Sequence, residues 1–144
     1  MEITANAIQT IAPNNNVMFT DTPIPGNCTI MHLDGSGLIT LRAPRGNCQS
    51  RSRFRISFSG NLKADVGATV TGVTPISLAI SRDGEPIQFT TMTVSVGDTG
   101  SIYNISTDFL IDVPAGCCAT IAVKNISNIA LQTLNASLIA ERVA

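Results

Sequence analysis

Along most of the chain apolar and polar residues alternate one for one, and each run is closed by Gly, Pro, Asn or Asp. That period of two marks half-buried strands, and no convincing helix competes with it. In 53–62, Phe54, Ile56 and Phe58 fall on one face while Arg53, Arg55, Ser57 and Ser59 fall on the other. In 76–87 the apolar face is Ile76, Leu78 and Ile80. Arg82-Asp83-Gly84-Glu85-Pro86 then predicts a tight hairpin, because Asp-Gly tolerates the positive φ such a turn requires. The next run carries Ile87 and Phe89, then Met92, Val94 and Val96, a change of parity that predicts a bulge near Thr90-Thr91.

After Gly97-Asp98-Thr99-Gly100, Ile102 and Tyr103 open one strand, and Phe109, Ile111 and Val113 alternate in a second segment that stops at Pro114. Pro114-Ala115-Gly116 reads as a turn, since Pro fixes φ and Gly frees it, and Cys117-Cys118 then begin the penultimate strand. In the closing stretch Leu134, Ala136, Leu138 and Ala140 fall on one face, with Asn135, Ser137, Ile139, Glu141 and Val143 on the other. Neither face is wholly polar. Such a strand belongs in mid-sheet, one face on the core and one toward a neighbouring subunit.

The first half is less regular. Short strands are expected at 17–20, 29–33 and 38–42, a loop at 44–52, and a connection with a weak strand in it at 63–75. Asn14-Asn15-Asn16 divides an N-terminal arm or anchoring segment, 1–16, from a single domain, 17–144. There is no internal repeat. Eight to ten short strands with frequent turns predict an all-β fold, an antiparallel sandwich or jelly roll.

Composition sharpens one point. Only 13% of the 144 residues are charged, against about a quarter in an ordinary soluble chain, and the net charge is −1. Nothing steers the chain to nucleic acid, and no run approaches the roughly 18 apolar residues that span a bilayer. With 44% hydrophobic residues and a mean hydropathy of +0.26, the surplus apolar surface is expected to be covered by copies of the same chain. Glu2 stands where a secretory signal would be basic, so synthesis in a cytoplasm is expected. On that basis Cys28, Cys48, Cys117 and Cys118 are read as free, buried thiols, and the Asn-x-Ser/Thr sequons at Asn27, Asn104, Asn125 and Asn135 carry little weight.

Candidate chemistry is sparse. Neighbouring strand residues point to opposite faces, so one of Cys117 and Cys118 is expected in the core. Cys28, His32 and Cys48 match no zinc-finger or ribbon spacing. His32, Asp34 and Ser36 share one strand-turn segment and lack a nucleophile elbow, and Asp34-Gly35-Ser36-Gly37 has neither the Lys nor the helix of a phosphate loop. No catalytic residue, metal or cofactor is therefore assigned. Arg42, Arg45, Arg51, Arg53 and Arg55 gather most of the arginines around one loop and strand. They form a candidate partner-binding basic patch for an anionic surface, or else a solvated face paired with Asp65, Asp83 or Glu85. With 4% aromatics and no Trp, a sugar-stacking platform is disfavoured.

The segments FTDTPIPGNCTIMH, RFRISFSGNL, ISLAISRDGEPI, FLIDVPAGCCATIAVKN and NASLIAERVA, taken together, resemble successive strands of the tumour-necrosis-factor and complement-globular-head superfamily. The likeness is to its bacterial and phage branch, similar to the C-terminal heads of collagen-like spore-surface proteins. The resemblance implies a ten-stranded jelly roll and a homotrimer, whose interface would use Leu134, Ala136, Leu138, Ile139 and Val143 about a threefold axis. In place of a Gly-x-y stalk stands the arm, which would add a strand to the trimer or, through Ile3, Ile8 and Ile11, anchor it to a larger particle. The expected function is a non-enzymatic structural protein of a bacteriophage virion: a trimeric capsid-decoration or fibre-head module on the virion surface, partnered by itself and by a capsid or other virion protein. The alternative is a trimeric binding head at a spore or bacterial cell surface, recognising a glycan or receptor.

Overall fold

The computed structural model describes residues 1–46, 50–65, 67 and 74–144. Its strands are β1 (Glu2–Ala5), β2 (Gln9–Ile11), β3 (Asp21–Ile24), β4 (Ile30–His32), β5 (Ile39–Arg42), β6 (Arg51–Ala64), β7 (Thr74–Arg82), β8 (Glu85–Pro86), β9 (Met92–Val96), β10 (Tyr103–Pro114), β11 (Cys118–Asn125) and β12 (Leu131–Arg142). A front sheet runs β10-β6-β12-β1-β3, with β2 also on β12; a back sheet runs β4-β5-β11-β7-β8, with β9 also on β7. All the pairings are antiparallel.

Alternation explains how the two sheets meet. Phe54, Ile56 and Phe58 of β6, Leu138 and Ala140 of β12, and Ile111 and Val113 of β10 point inward from the front sheet. Ile76, Leu78 and Ile80 of β7, Ile121 and Val123 of β11, and Ile39 and Leu41 of β5 meet them from the back in one continuous core. Burying a side chain of this size contributes about 1.5 to 3 kcal/mol, so the interleaved faces dominate stability. The predicted hairpin is present, with φ of 52° at Asp83 and 90° at Gly84. The Asp83 carboxylate accepts from the Thr120 N–H (2.9 Å) and hydroxyl (3.1 Å), pinning the turn to β11. The hydrogen bond from the Thr120 amide leads in holding this carboxyl below its usual range.

Several expectations change in tertiary context. The arm is part of the sandwich: β1 lies between β12 and β3, and Ile3 and Ile11 are buried core residues. Of the three anchoring candidates Ile8 alone is accessible, at 58% exposure. Residues 14–17 cross from front to back: the Asn14 N–H donates to the Asn125 carbonyl and the Val17 N–H to that of Val123, both at 2.8 Å. Residues 17–20 form no strand, although Val17 and Phe19 are fully buried. The parity change after Phe89 is accommodated by a 3₁₀ turn at Gln88–Thr90, whose Thr90 hydroxyl donates to the Ile87 carbonyl and accepts from the Ile80 N–H. The two segments expected at 102–114 are one continuous strand, β10.

The largest departure lies in β12. Asn135 adopts φ of 52°, and the register with β6 shifts between Leu134 and Ser137, so two residues of β12 oppose Gly60 alone. Gly60 makes room for this bulge: a Cβ there would lie 3.3 Å from the Cα of Ala136. The parity of the strand flips across it. Leu134 pairs with Asn61 on the outer face, while Ala136, Leu138 and Ala140 point into the core. The single face expected to join Leu134 to Ala136 and Leu138 is therefore split.

Candidate functional site

The outer face of the front sheet is the most distinctive surface, and the registers of β10, β6, β12, β1 and β3 lay it out in rows. Asn104, Asn61 and Leu134 form one row; Ser106, Ser59, Ser137 and Thr4 the next; then Asp108, Ser57, Ile139, Glu2 and Ile24; then Leu110, Arg55 and Glu141; then Asp112 and Arg53. Serines in the middle rows keep the centre low and leave a depression of about 360 Å³ lined by Ser57, Ser59, Ser106, Asp108, Ser137 and Ile139. Around it Ile24 (55% exposed), Leu110 (54%) and Ile139 (45%) stand in solvent. Small side chains flanked by apolar ones make a face that another surface can approach closely.

One end of this face is charged but balanced. Arg53 donates to both carboxylate oxygens of Asp112, at 2.8 and 2.9 Å. Arg55 does the same to Asp108, whose carboxylate also accepts from the Ser57 hydroxyl at 2.9 Å. Arg51 reaches Asp112 at 3.3 Å and Arg55 reaches Glu141 at 3.6 Å. These paired forks draw the Asp108 and Asp112 carboxyls below the ordinary carboxylate range and raise the Arg53 and Arg55 guanidiniums, hydrogen bonding leading in each case. Three of the five arginines of the expected basic patch are thus neutralised, and by Asp108, Asp112 and Glu141 rather than by Asp65, Asp83 or Glu85. The reason is topological: β6 lies between β10 and β12, which bring carboxylates from far along the chain onto its outer face.

The expected trimer-interface residues separate in the same way. Ala136 and Leu138 are buried in the chain's own core, whereas Leu134, Ile139 and Val143 lie outside it, Val143 at 47% exposure. Arg42 and Arg45 lie away from the front face, at one end of the back sheet.

The cysteines are placed differently from expectation. Cys28, Cys117 and Cys118 are free and exposed, and Cys48 lies outside the described residues. Cys117 still belongs to the turn, its N–H donating to the Pro114 carbonyl at 3.0 Å, and Cys118 pairs with Arg42 on the outer face. At this end the buried positions are taken by Ala43, Val113 and Ala119, while both sulfurs lie on exposed residues. His32 has no exposed side-chain surface: its Nδ1 lies 3.2 Å from the Thr22 hydroxyl and its Nε2 3.0 Å from the Ser36 carbonyl. Thr22 in turn donates to Asp34 at 2.6 Å. The ring ties front strand β3 to back strand β4, and with both nitrogens engaged it presents none to a ligand.

No protein-family model and no curated protein matches the chain. Among solved structures it is similar to the globular domain of zebrafish complement 1qA protein, at 10% identity and a TM-score of 0.65, over 99% of this chain and 95% of that one. Rabbit GITRL (10% identity, TM-score 0.39, 92% and 91% covered) and the CBM35 from Cellvibrio japonicus Abf62 (12%, 0.34, 99% and 96%) overlap only loosely. The two antiparallel sheets and the likeness to the complement head establish a jelly roll of the architecture expected from the sequence.

Proposed function

We propose that the protein is a non-enzymatic structural module that associates into homotrimers through the outer face of the front sheet. In this reading it serves a bacteriophage virion as a capsid-decoration or fibre-head protein, a member of the bacterial and phage branch of the complement-head-like jelly rolls. The observation that carries the proposal is the front face itself. Its low serine centre, its half-exposed Ile24, Leu110 and Ile139, and its paired Arg53–Asp112 and Arg55–Asp108 charges suit close contact with another protein. Unpaired charge in a buried interface costs several kcal/mol, whereas bidentate Arg–Asp pairs enter one already compensated. The low charged fraction of the chain and the superfamily resemblance of its strand segments support the same reading.

Light scattering of the purified chain tests the association: the expected mass is three times 15.1 kDa, with or without reductant. Ile139→Asp should shift it toward one. A monomeric wild type would overturn the proposal. Given a trimer, antibody labelling of purified virions from the source culture tests the location; label confined to a spore or cell surface would instead establish the binding-head alternative.

A further inference from the structure

Arg42 and Arg45 differ from the other arginines of their cluster. Among the described residues no carboxylate lies within 4.0 Å of either guanidinium, and 47–49, 66 and 68–73 contain no acidic residue. Both line one cleft of about 370 Å³, together with Cys28, Thr29 and Gly116, and no acidic side chain lines it. Three segments far apart in sequence build the cleft and are hydrogen-bonded together: the Arg42 N–H donates to the Thr29 carbonyl (2.8 Å), the Gly116 N–H to the Ala43 carbonyl (2.8 Å) and the Ala43 N–H to the Cys117 carbonyl (3.0 Å). Arg42 is therefore fixed at its root by backbone pairing, and Ala43, two residues before Arg45, is tied to the β10–β11 turn.

Gly116 does more than turn the chain. Its φ is +80°, and a Cβ there would lie 2.6 Å from the Nε of Arg45 and 3.0 Å from its Cγ. Arg45 is thus seated on the bare backbone of the β10–β11 turn, a placement that any side chain at 116 would prevent. Two unpaired guanidiniums opening on one concavity with no acidic wall constitute an anion site.

We infer that this cleft binds a tetrahedral oxyanion, a phosphate or sulfate group. A planar carboxylate fills one guanidinium fork. A tetrahedral group keeps a further oxygen for a second fork, and its greater charge matches two cations. The volume admits the oxyanion with a sugar-sized carrier attached. The site faces away from the front sheet and is independent of the trimer reading; a monomer would still possess it.

The test is calorimetric titration of the full chain with inorganic phosphate, glucose 6-phosphate, glucose and acetate at constant ionic strength. Phosphate should bind one per chain with a dissociation constant of about 10 mM or tighter, and acetate at least about tenfold more weakly. Glucose 6-phosphate binding at least about tenfold tighter than phosphate would identify a phosphorylated sugar as the source, and equal binding the free ion; either supports the site. Arg42→Gln with Arg45→Gln should abolish binding and Arg45→Gln alone should weaken it, while Arg51→Gln, the same single charge removed from the front face, leaves it intact. Gly116→Ala displaces Arg45 without altering charge and should weaken binding about tenfold or more, a loss that a diffuse positive potential would not produce. Thermal melts confirm that each variant is folded, and Arg45→Gln alone stands in where Gly116→Ala is not. Absent phosphate binding, binding retained in the double variant, or acetate binding as tightly as phosphate would each overturn the inference.

Discussion

At the scale of single residues, two kinds of side chain carry expectations that can be measured. The exposed thiols Cys28, Cys117 and Cys118 contribute little packing, so Cys117→Ser with Cys118→Ser should change unfolding free energy by no more than about 0.5 kcal/mol. Thiol reagents should label all three in the folded protein, read peptide by peptide in a mass spectrometer; protection of Cys117 or Cys118 would place it in the core after all. The second kind is the Arg–Asp ladder. Asp108 and Asp112 have folded-state carboxyls lowered from the ordinary value, so their contribution to stability is present above that value and is lost as pH falls through the lowered one. The raised Arg53 and Arg55 contribute at every pH below the ordinary guanidinium value, a contribution lost only at extreme alkalinity. Melting temperature should therefore fall on acidification below about pH 4, and Asp112→Asn should flatten part of that slope. An Asp112→Asn profile parallel to wild type would show that the pair contributes nothing.

At the scale of elements, the bulge in β12 decides which residues of the last strand face a neighbour. Asn135 holds positive φ opposite Gly60. Asn135→Gly should be neutral or slightly stabilising, whereas the β-branched Asn135→Val should cost about 1 to 3 kcal/mol in urea unfolding. Gly60→Ala should cost about 1 to 3 kcal/mol as well, because the added methyl meets the bulged backbone. Equal stability of Asn135→Val and wild type would remove the bulge from the account. Most elements from residue 53 onward were legible in sequence: the 54, 56, 58 and 76, 78, 80 faces, the Asp83-Gly84 hairpin and the Pro114-Ala115-Gly116 turn all lie where alternation and turn chemistry place them. The bulge was not, because an Asn in an alternating run is an ordinary polar residue until its partner strand supplies a glycine. Nor was the burial of Val17 and Phe19, whose irregular backbone leaves no period to read.

At the scale of the whole molecule, one core joins both sheets and includes Ile3, Ala5 and Ile11 from the N-terminal segment. Removing residues 1–11 would delete these buried side chains and uncover the flank of β12, so the shortened chain should lose its cooperative thermal transition; an unchanged melt would restore the view of that segment as a detachable arm. Composition and alternation alone were enough to settle the all-β class, the sandwich and the identity of most core side chains, because period, turn chemistry and apolar content act locally and need no partner. Which carboxylate meets which arginine, which thiols lie outside, which half of the last strand looks outward and which arginines of the 42–55 cluster meet no carboxylate among the described residues were decided only by the tertiary structure. Each depends on strands remote in sequence arriving side by side, and β6 receives its neighbours β10 and β12 from the far end of the chain.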